Sequence, residues 1–237
     1  EGVRLLGDSK SSSMPISSGV AVAIQMGGPS REYSDVVIEN LCIAGDGVTN
    51  TTKGVYFERC IRASYIKNCH IYGFGYNVYG VNTWALQVVD NFIHDALVNN
   101  IYWSQSTACT IRRNRIDGAL NEGIVLDGQN ATELISVTVA DNAIQGSTYN
   151  GIKIIDATTI SLQNNFFESN NQAASTYGDV LSIPGSRSVK TTVFLSLYNF
   201  FTVGSAAGTT HRAIDVRSAV SLISIGDFVR GSSYDYG

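Results

Sequence analysis

The 237-residue sequence predicts an all-β fold, a right-handed single-stranded parallel β-helix of about eight coils, and three observations support this prediction. One short pattern of apolar and polar residues recurs along the chain at intervals of 22 to 34 residues. Short runs with alternating apolar residues lie between the copies, as in strands with one buried face. No segment has a sustained helical period. The return of one residue type to one position favours stacked coils over a sandwich or a propeller.

The recurring pattern is an apolar residue, two further residues, a polar site, one residue and a second apolar residue. Clear copies are residues 88–93, 111–116, 139–144 and 162–167, which place the polar site at Asn91, Asn114, Asn142 and Asn165. Looser copies have Asn199 and Asp227 there, and two earlier copies have Leu41 and Cys69, with Asn one place before. Successive sites are 28, 22, 23, 28, 23, 34 and 28 residues apart, so a minimal coil accepts insertions.

Stacking explains why asparagine suits this site. Equivalent residues of neighbouring coils lie about 4.8 Å apart, and a buried amide can donate to the next coil and accept from the previous one. We therefore expect a ladder of buried amides that begins at Asn91. The apolar positions of the pattern should fill the interior, with one row made of Ile93, Ile116, Ile144, Phe167 and Phe201.

The composition fits a globular β domain. Hydrophobic residues make up 44% and charged residues 15%, which excludes a disordered chain and a helical bundle. A net charge of -4 argues against nucleic acid as a partner. No apolar run reaches the roughly 18 residues that membrane insertion requires. Four cysteines without CxxC spacing should be buried free thiols, namely Cys42, Cys60, Cys69 and Cys109.

The Ile-x-x-Asn-x-Ile-x-Gly coils, preceded by Gly-Val-Arg-Leu-Leu-Gly at residues 2–7, resemble the pectate-lyase-like superfamily of right-handed β-helices. Bacteriophage tailspikes and related polysaccharide depolymerases are nearest in character, and the resemblance covers nearly the whole chain. It implies a polysaccharide partner, a virion or extracellular location and a homotrimer. Family members usually begin with a Gly-Asp-Gly-rich segment and a cap helix, which are not recognisable here. Residues 1–237 are therefore expected to be a single β-helix domain of a longer chain, without its N-terminal cap and C-terminal part.

Outward positions of a β-helix form columns in which residues distant in sequence become neighbours. One predicted column contains Tyr56, Tyr79, Tyr102, Val125, Lys153 and Asp215. Its three tyrosines would form an exposed aromatic strip that contacts sugar rings. The alternative is that the tyrosines pack under a loop or in a subunit interface.

A second predicted column contains Ala44, Tyr72, His94, Asp117, Gln145, Glu168, Thr202 and Arg230. His94 and Asp117 would be close enough for an ion pair or a shared hydrogen bond. Together with Asp95, Glu122 and Asp127, they suggest a cluster of acidic groups on about two rungs. Glycoside hydrolysis needs two carboxyl groups, roughly 5 Å apart in retaining and 6.5 to 9.5 Å apart in inverting enzymes. Asp in a turn more commonly bonds its own backbone, which is the alternative for each residue.

These columns support three hypotheses of function. The first is an endo-glycosidase of the tailspike type, with Glu122 and Asp127 as the acid and base and with Asp117 and His94 in support. Sugar would be bound by Tyr56, Tyr79, Tyr102, Tyr72 and Asp95. The second is a glycan-binding or structural fibre or adhesin without catalysis. The third is a polysaccharide lyase or epimerase, in which His94 or a tyrosine abstracts the proton beside a uronate carboxyl. No metal or cofactor is predicted, because no ligand spacing such as HxxxH is present.

Overall fold

The structure, a computed structural model, describes residues 4–6, 13–15, 21–128, 135–172, 178–184, 191–202, 212–217 and 219–230. These residues form 26 β-strands in three parallel sheets, which we name A, B and C, and they contain no α-helix. Most coils contribute one strand to A, then one to B and one to C. The predicted right-handed parallel β-helix is confirmed. No helix that could span a membrane is found among the described residues.

Sheet A has nine strands, each paired in parallel with the strand of the next coil. They are β1 (Arg4–Leu6), β4 (Val37–Glu39), β7 (Tyr65–Lys67), β10 (Gln87–Val89), β13 (Thr107–Arg112), β16 (Ile135–Ala140), β19 (Ala157–Gln163), β22 (Thr191–Leu197) and β25 (Ala219–Ile225).

Sheet B also has nine strands, all three residues long. They are β2 (Ser13–Pro15), β5 (Cys42–Ala44), β8 (His70–Tyr72), β11 (Phe92–His94), β14 (Arg115–Asp117), β17 (Ala143–Gln145), β20 (Phe166–Glu168), β23 (Phe200–Thr202) and β26 (Phe228–Arg230).

Sheet C has eight strands. They are β3 (Val22–Gly27), β6 (Lys53–Glu58), β9 (Tyr76–Val81), β12 (Asn99–Ser104), β15 (Ile124–Asp127), β18 (Ile152–Ile155), β21 (Val180–Ile183) and β24 (Ile214–Val216).

The core consists of apolar residues that stack from rung to rung. In sheet B, the central residues of the strands from β5 to β23 point inward, so Ile93, Ile116 and Ile144 form one buried row that continues into Phe167 and Phe201. The two phenylalanine rings stack at 4.7 Å between centroids. In sheet C, Gly80 makes room for the buried Trp103, because a Cβ atom at residue 80 would lie 2.3 Å from the Trp103 ring. All four cysteines are buried and free, as predicted.

The predicted asparagine ladder occupies the turn between sheets A and B. The side chain of Asn91 donates to Asn114, and the same bond repeats upward through Asn142, Asn165, Asn199 and Asp227 at 2.9 to 3.1 Å. The ladder begins where predicted, since the Cys69 backbone donates to Asn91 at 2.8 Å. Each amide oxygen also accepts the backbone N–H of the rung below, so one side chain satisfies several buried polar groups.

The residue before each ladder position has a left-handed backbone. The eight turns from β4 onward share this conformation, with φ between 51° and 69°, at Asn40, Asn68, Asp90, Arg113, Asp141, Asn164, Tyr198 and Gly226. Asn is among the residues that tolerate positive φ best. In the first two of these turns, Asn40 and Asn68 occupy this position. The side chain of Asn68 donates a hydrogen bond to that of Asn40 on the outside of the β-helix. This explains why asparagine shifts by one residue in those copies of the pattern.

Candidate functional site

The outer face of sheet C carries the first predicted column of side chains. The register aligns Tyr56 with Tyr79, Tyr79 with Tyr102 and Tyr102 with Val125. Above them, the column continues through Lys153, Leu181 and Asp215. The predicted order is confirmed. Leu181 is an additional member of the column that the sequence did not reveal.

Tyr56, Tyr79 and Tyr102 form a continuous set of aromatic contacts, which we call the tyrosine strip. Tyr56 and Tyr79 meet edge to face at 5.6 Å between ring centroids, whereas Tyr79 and Tyr102 stack in parallel at 4.8 Å. Tyr76 adds edge contacts to Tyr79 and Tyr102 at 5.2 and 5.8 Å. The strip is half-buried and not exposed as predicted, because each ring is covered by its neighbours.

A cation covers the lower end of the strip. The Lys53 ammonium group lies over the Tyr56 ring at 4.6 Å and over the Tyr79 ring at 4.3 Å. Both distances are within the range of a cation–π interaction. Lys53 therefore places a positive charge beside the aromatic surface.

The phenol groups of the strip are held in their protonated form. Burial, aided by the Glu58 carboxylate, raises the pKa of Tyr56 to about 12. Burial also raises the pKa of Tyr79. For Tyr102, burial and a 2.7 Å hydrogen bond from its hydroxyl to Asp127 raise the pKa far above the ordinary tyrosine value. With raised pKa values, these phenols are poorly suited to abstract a proton at neutral pH.

A pocket of about 250 Å³ lies further along the same face. Its wall contains a charged pair, since Lys153 Nζ lies 3.1 Å from Glu122 Oε1. Asn99 donates to the other carboxylate oxygen at 3.0 Å, and Glu122 is only 9% exposed. The remaining lining residues are Tyr149, Asn150, Leu181, Ile183 and Arg217. The pocket thus combines a buried carboxylate, two cations and apolar surface, which is typical of ligand sites.

The Arg217 guanidinium group is held in place by the carboxylate of Asp215, two residues earlier in the same coil. Two of its nitrogens donate to Asp215 Oδ2 at 3.0 and 2.8 Å, and Arg212 Nη1 lies 3.5 Å from Oδ1 of the same carboxylate. Asp215 is 3% exposed, so the carboxylate is reached by both arginines rather than by solvent. Its position in the tyrosine column was predicted, whereas its arginine partners were not.

Glu122 and Asp127 do not form the predicted pair of carboxyl groups. They are five residues apart in one coil, with Asp127 at the end of β15, and five extended residues span about 16 Å, more than the separation of an acid and base pair. Glu122 contacts Lys153 on the next rung, while Asp127 accepts from Tyr102 on the previous rung. The prediction placed both residues in the correct coil. It overlooked that one precedes β15 and the other ends it.

The second predicted column lies on a different face, the outer side of sheet B. Tyr72, His94 and Asp117 occupy adjacent rungs, as predicted. The expected contact of His94 with Asp117 is replaced by others, because His94 Nδ1 lies 2.8 Å from Asp95. Asp117 instead accepts from Arg115 at 3.0 Å and from Gln145 at 2.9 Å. The structure therefore divides the predicted acidic cluster between two faces.

Lys153 and Arg217 are the site residues that sequence reasoning missed. Lys153 stood in the tyrosine column, and this position was a usable signal because every member of the column faces outward. Arg217 lies two residues after Asp215, so strand alternation also places it on the outer face. The sequence alone did not assign a role to either residue. In the structure, Lys153 lies beside Glu122 and Arg217 lies beside Asp215.

The chain belongs to the family described as right handed beta helix region, whose sequence pattern matches residues 5–167. No curated protein gives a significant sequence match.

Solved structures show the same fold. ORF18 of Geobacillus virus E2 is 12% identical, with a TM-score of 0.64 over 99% of this chain and 46% of its own. DFA-IIIase of Arthrobacter chlorophenolicus, without its lid, is 12% identical, with a TM-score of 0.62 over 92% of this chain and 65% of its own. The periplasmic alginate epimerase AlgG is 12% identical, with a TM-score of 0.64 over 84% of this chain and 46% of its own. The chain thus spans about half to two thirds of these proteins.

Proposed function

We propose that the protein binds a polysaccharide chain along the outer face of sheet C. The observation that carries the proposal is the tyrosine strip, three half-buried rings on successive rungs with centroids 5.6 and 4.8 Å apart. Such rings offer apolar surface to a sugar and a hydroxyl donor at the same place.

The pocket extends the proposed binding surface beyond the strip. Lys153 aligns with Val125 and so continues the column that begins at Tyr56. A glycan that lies on the strip and follows this column reaches the Glu122 and Lys153 pair. The polar groups there would fix the orientation of one sugar unit, while the strip contributes contact area.

The likeness to a phage protein, a DFA-IIIase and an alginate epimerase supports a polysaccharide ligand and a virion-borne, extracellular or periplasmic location. A homotrimer is part of the same proposal. It is supported by the outer face of sheet B, where Phe166, Phe200 and Phe228 stack at 5.4 and 4.9 Å between centroids. Other copies of the chain would cover this aromatic row.

We expect Tyr79→Ala to weaken polysaccharide binding roughly tenfold, which corresponds to about 1.4 kcal/mol. Tyr79 is the central ring, so its loss interrupts contacts with both Tyr56 and Tyr102. Binding would be measured by interferometry against immobilised capsular polysaccharides, O-antigens and alginate.

The matched control is Tyr198→Ala, which removes a 63% exposed tyrosine from a turn far from sheet C. This variant should bind as the unmodified protein does. Equal affinity of the Tyr79→Ala variant, or no binding to any member of the panel, would contradict the proposal.

Cleavage of the bound chain is the second candidate function. The observation that favours it is the Glu122 carboxyl group, which lies in the wall of the pocket and is hydrogen-bonded by Asn99 and Lys153. A carboxylate beside a sugar ring can act as a general base. Hydrolysis would need a second carboxyl group within reach, and Asp127 lies at the far end of β15 from Glu122.

If the protein cleaves its ligand, Glu122→Gln should lower the rate at least about 100-fold, the range for loss of a general base. Release of reducing ends would report hydrolysis, and absorbance of an unsaturated product would report a lyase. Glu168→Gln is the control, because Glu168 is an exposed glutamate on sheet B. Glycan binding without any product, unchanged in a Glu122→Gln plus Asp127→Asn variant, would leave binding as the function.

A further inference from the structure

Two histidines meet on the outer face of sheet B. Strands β8 and β11 pair so that Phe92 lies opposite His70 and His94 lies opposite Tyr72. His70 and His94 are thus diagonal neighbours on one face. Their Nε2 atoms approach to 2.6 Å.

Aromatic rings hold both imidazoles in place. Phe92 stacks on His70 at 5.0 Å and on His94 at 4.3 Å between centroids. Tyr72 stacks on His94 at 4.9 Å with an interplanar angle of 9°. The two rings are therefore oriented by packing, and binding a ligand between them would require little ordering of side chains.

A carboxylate orients the His94 ring. Asp95 Oδ2 lies 2.8 Å from Nδ1, the arrangement in which Nδ1–H donates to the carboxylate and Nε2 faces His70. A metal-ligating histidine has this same arrangement, in which the second ring nitrogen donates to a carboxylate. On the other imidazole, His70 Nδ1 lies 3.9 Å from the Cys42 sulfur.

We propose that His70 and His94 bind a divalent transition-metal ion of the zinc type between their Nε2 atoms. In the short contact, one Nε2–H donates a hydrogen bond to the other Nε2. A metal ion that replaces this hydrogen atom would accept the lone pairs of both nitrogens. Two nitrogens that bind one tetrahedral zinc ion with bonds of about 2.1 Å lie about 3.4 Å apart. The two Nε2 atoms, now at 2.6 Å, would therefore separate by about 1 Å and tilt toward the ion.

The surroundings suit a cation with open coordination positions. Among the described residues, no group of three or more His, Cys, Asp and Glu side chains is arranged to hold a metal, so the protein supplies two ligands. The side chain of Asp95 is 71% exposed and contributes negative charge, while the charge of Asp117 is offset by Arg115 at 3.0 Å. His94 itself is 17% exposed, which leaves the site accessible from solvent.

The test is calorimetric titration of the purified protein with ZnCl₂. We expect one site, and at least tenfold weaker binding in each of the variants His70→Asn and His94→Asn. Asp95→Asn should weaken binding less, because it removes only the orienting carboxylate. His211→Asn is the control and should leave the affinity unchanged, since it removes the third histidine of the sequence.

A second measurement needs no variant. In ¹H–¹⁵N correlation spectra of the imidazole rings, Zn²⁺ should shift the Nε2 resonances of His70 and His94 together at one equivalent. Unshifted resonances, or an affinity equal to that of the unmodified protein in both histidine variants, would overturn the proposal. Loss of binding in His211→Asn alone would also overturn it.

Discussion

Replacing Asn165 by alanine should lower the free energy of unfolding by about 2 to 6 kcal/mol, because two buried backbone groups lose their partners at once. The Asn165 amide donates to the Val139 carbonyl at 2.8 Å and to Asn199 at 2.9 Å. Its oxygen accepts from the backbone and the side chain of Asn142 at 3.1 and 3.0 Å. Alanine would leave the backbone N–H of Asn142 and the carbonyl of Val139 buried without these partners, and each costs about 1 to 3 kcal/mol.

Urea unfolding followed by circular dichroism would measure this loss. The control is the preceding residue, since Asn164 has a positive φ of 51° and bonds to Asp141 at the surface. Asn164→Gly keeps the turn and should stay within about 0.5 kcal/mol of the unmodified protein. Similar losses in the two variants would show that the turn itself, and not the ladder, determines stability.

Asp179→Asn should stabilise the protein, by roughly 2 to 4 kcal/mol at pH 8. Asp179 is fully buried, and neither carboxylate oxygen has a well-formed hydrogen bond from the described residues. Burial raises the pKa of this carboxyl to about 7, and the Asn170 amide opposes the shift only in part. Asparagine has a similar shape and carries no charge, so it removes the cost of a buried anion.

The sign of the pH dependence follows from the raised pKa. The folded protein holds the proton of Asp179 more tightly than the unfolded chain, so the carboxyl lowers stability as pH rises from about 4 to about 7. The melting temperatures of Asp179→Asn and the unmodified protein should therefore nearly coincide at pH 4 and differ most at pH 8.

Asp141→Asn is the matched control with the opposite sign. The Arg112 hydrogen bond lowers the pKa of Asp141, so its carboxylate favours the folded state above the ordinary carboxyl pKa. Asn at residue 141 should reduce the melting temperature slightly at pH 8. A difference for Asp179→Asn that is independent of pH would contradict the assignment of a buried acid.

Repetition made most of the fold predictable. The ladder from Asn91 to Asp227 and both outward columns could be aligned from sequence, because each coil repeats one short pattern. Leu181 was not aligned with the column. Its strand follows Asp179, whereas most of the other strands of sheet C begin at or directly after Gly or Asn. The pattern thus identified rungs wherever the turn residues were retained.

The side-chain contacts were less predictable. The strand register places His94 beside Asp117, but hydrogen bonding also depends on the direction of each side chain. His94 contacts Asp95, and Asp117 accepts from Arg115. Glu122 and Asp127 are close in sequence, yet an extended strand carries them apart. The burial of Asp179 depends on neighbours from other coils, which no local pattern contains.

The left-handed turn between sheets A and B has a consequence for how such a protein can change. From β4 onward, all eight copies of this turn have two residues and the same backbone, whereas the spacing of the ladder sites varies between 22 and 34 residues. In those coils the added residues therefore lie outside this turn, and the stacked interior is unaffected by them. Mutation can lengthen or exchange the surface segments beside sheet C one coil at a time, and new ligand specificity can evolve without redesign of the core.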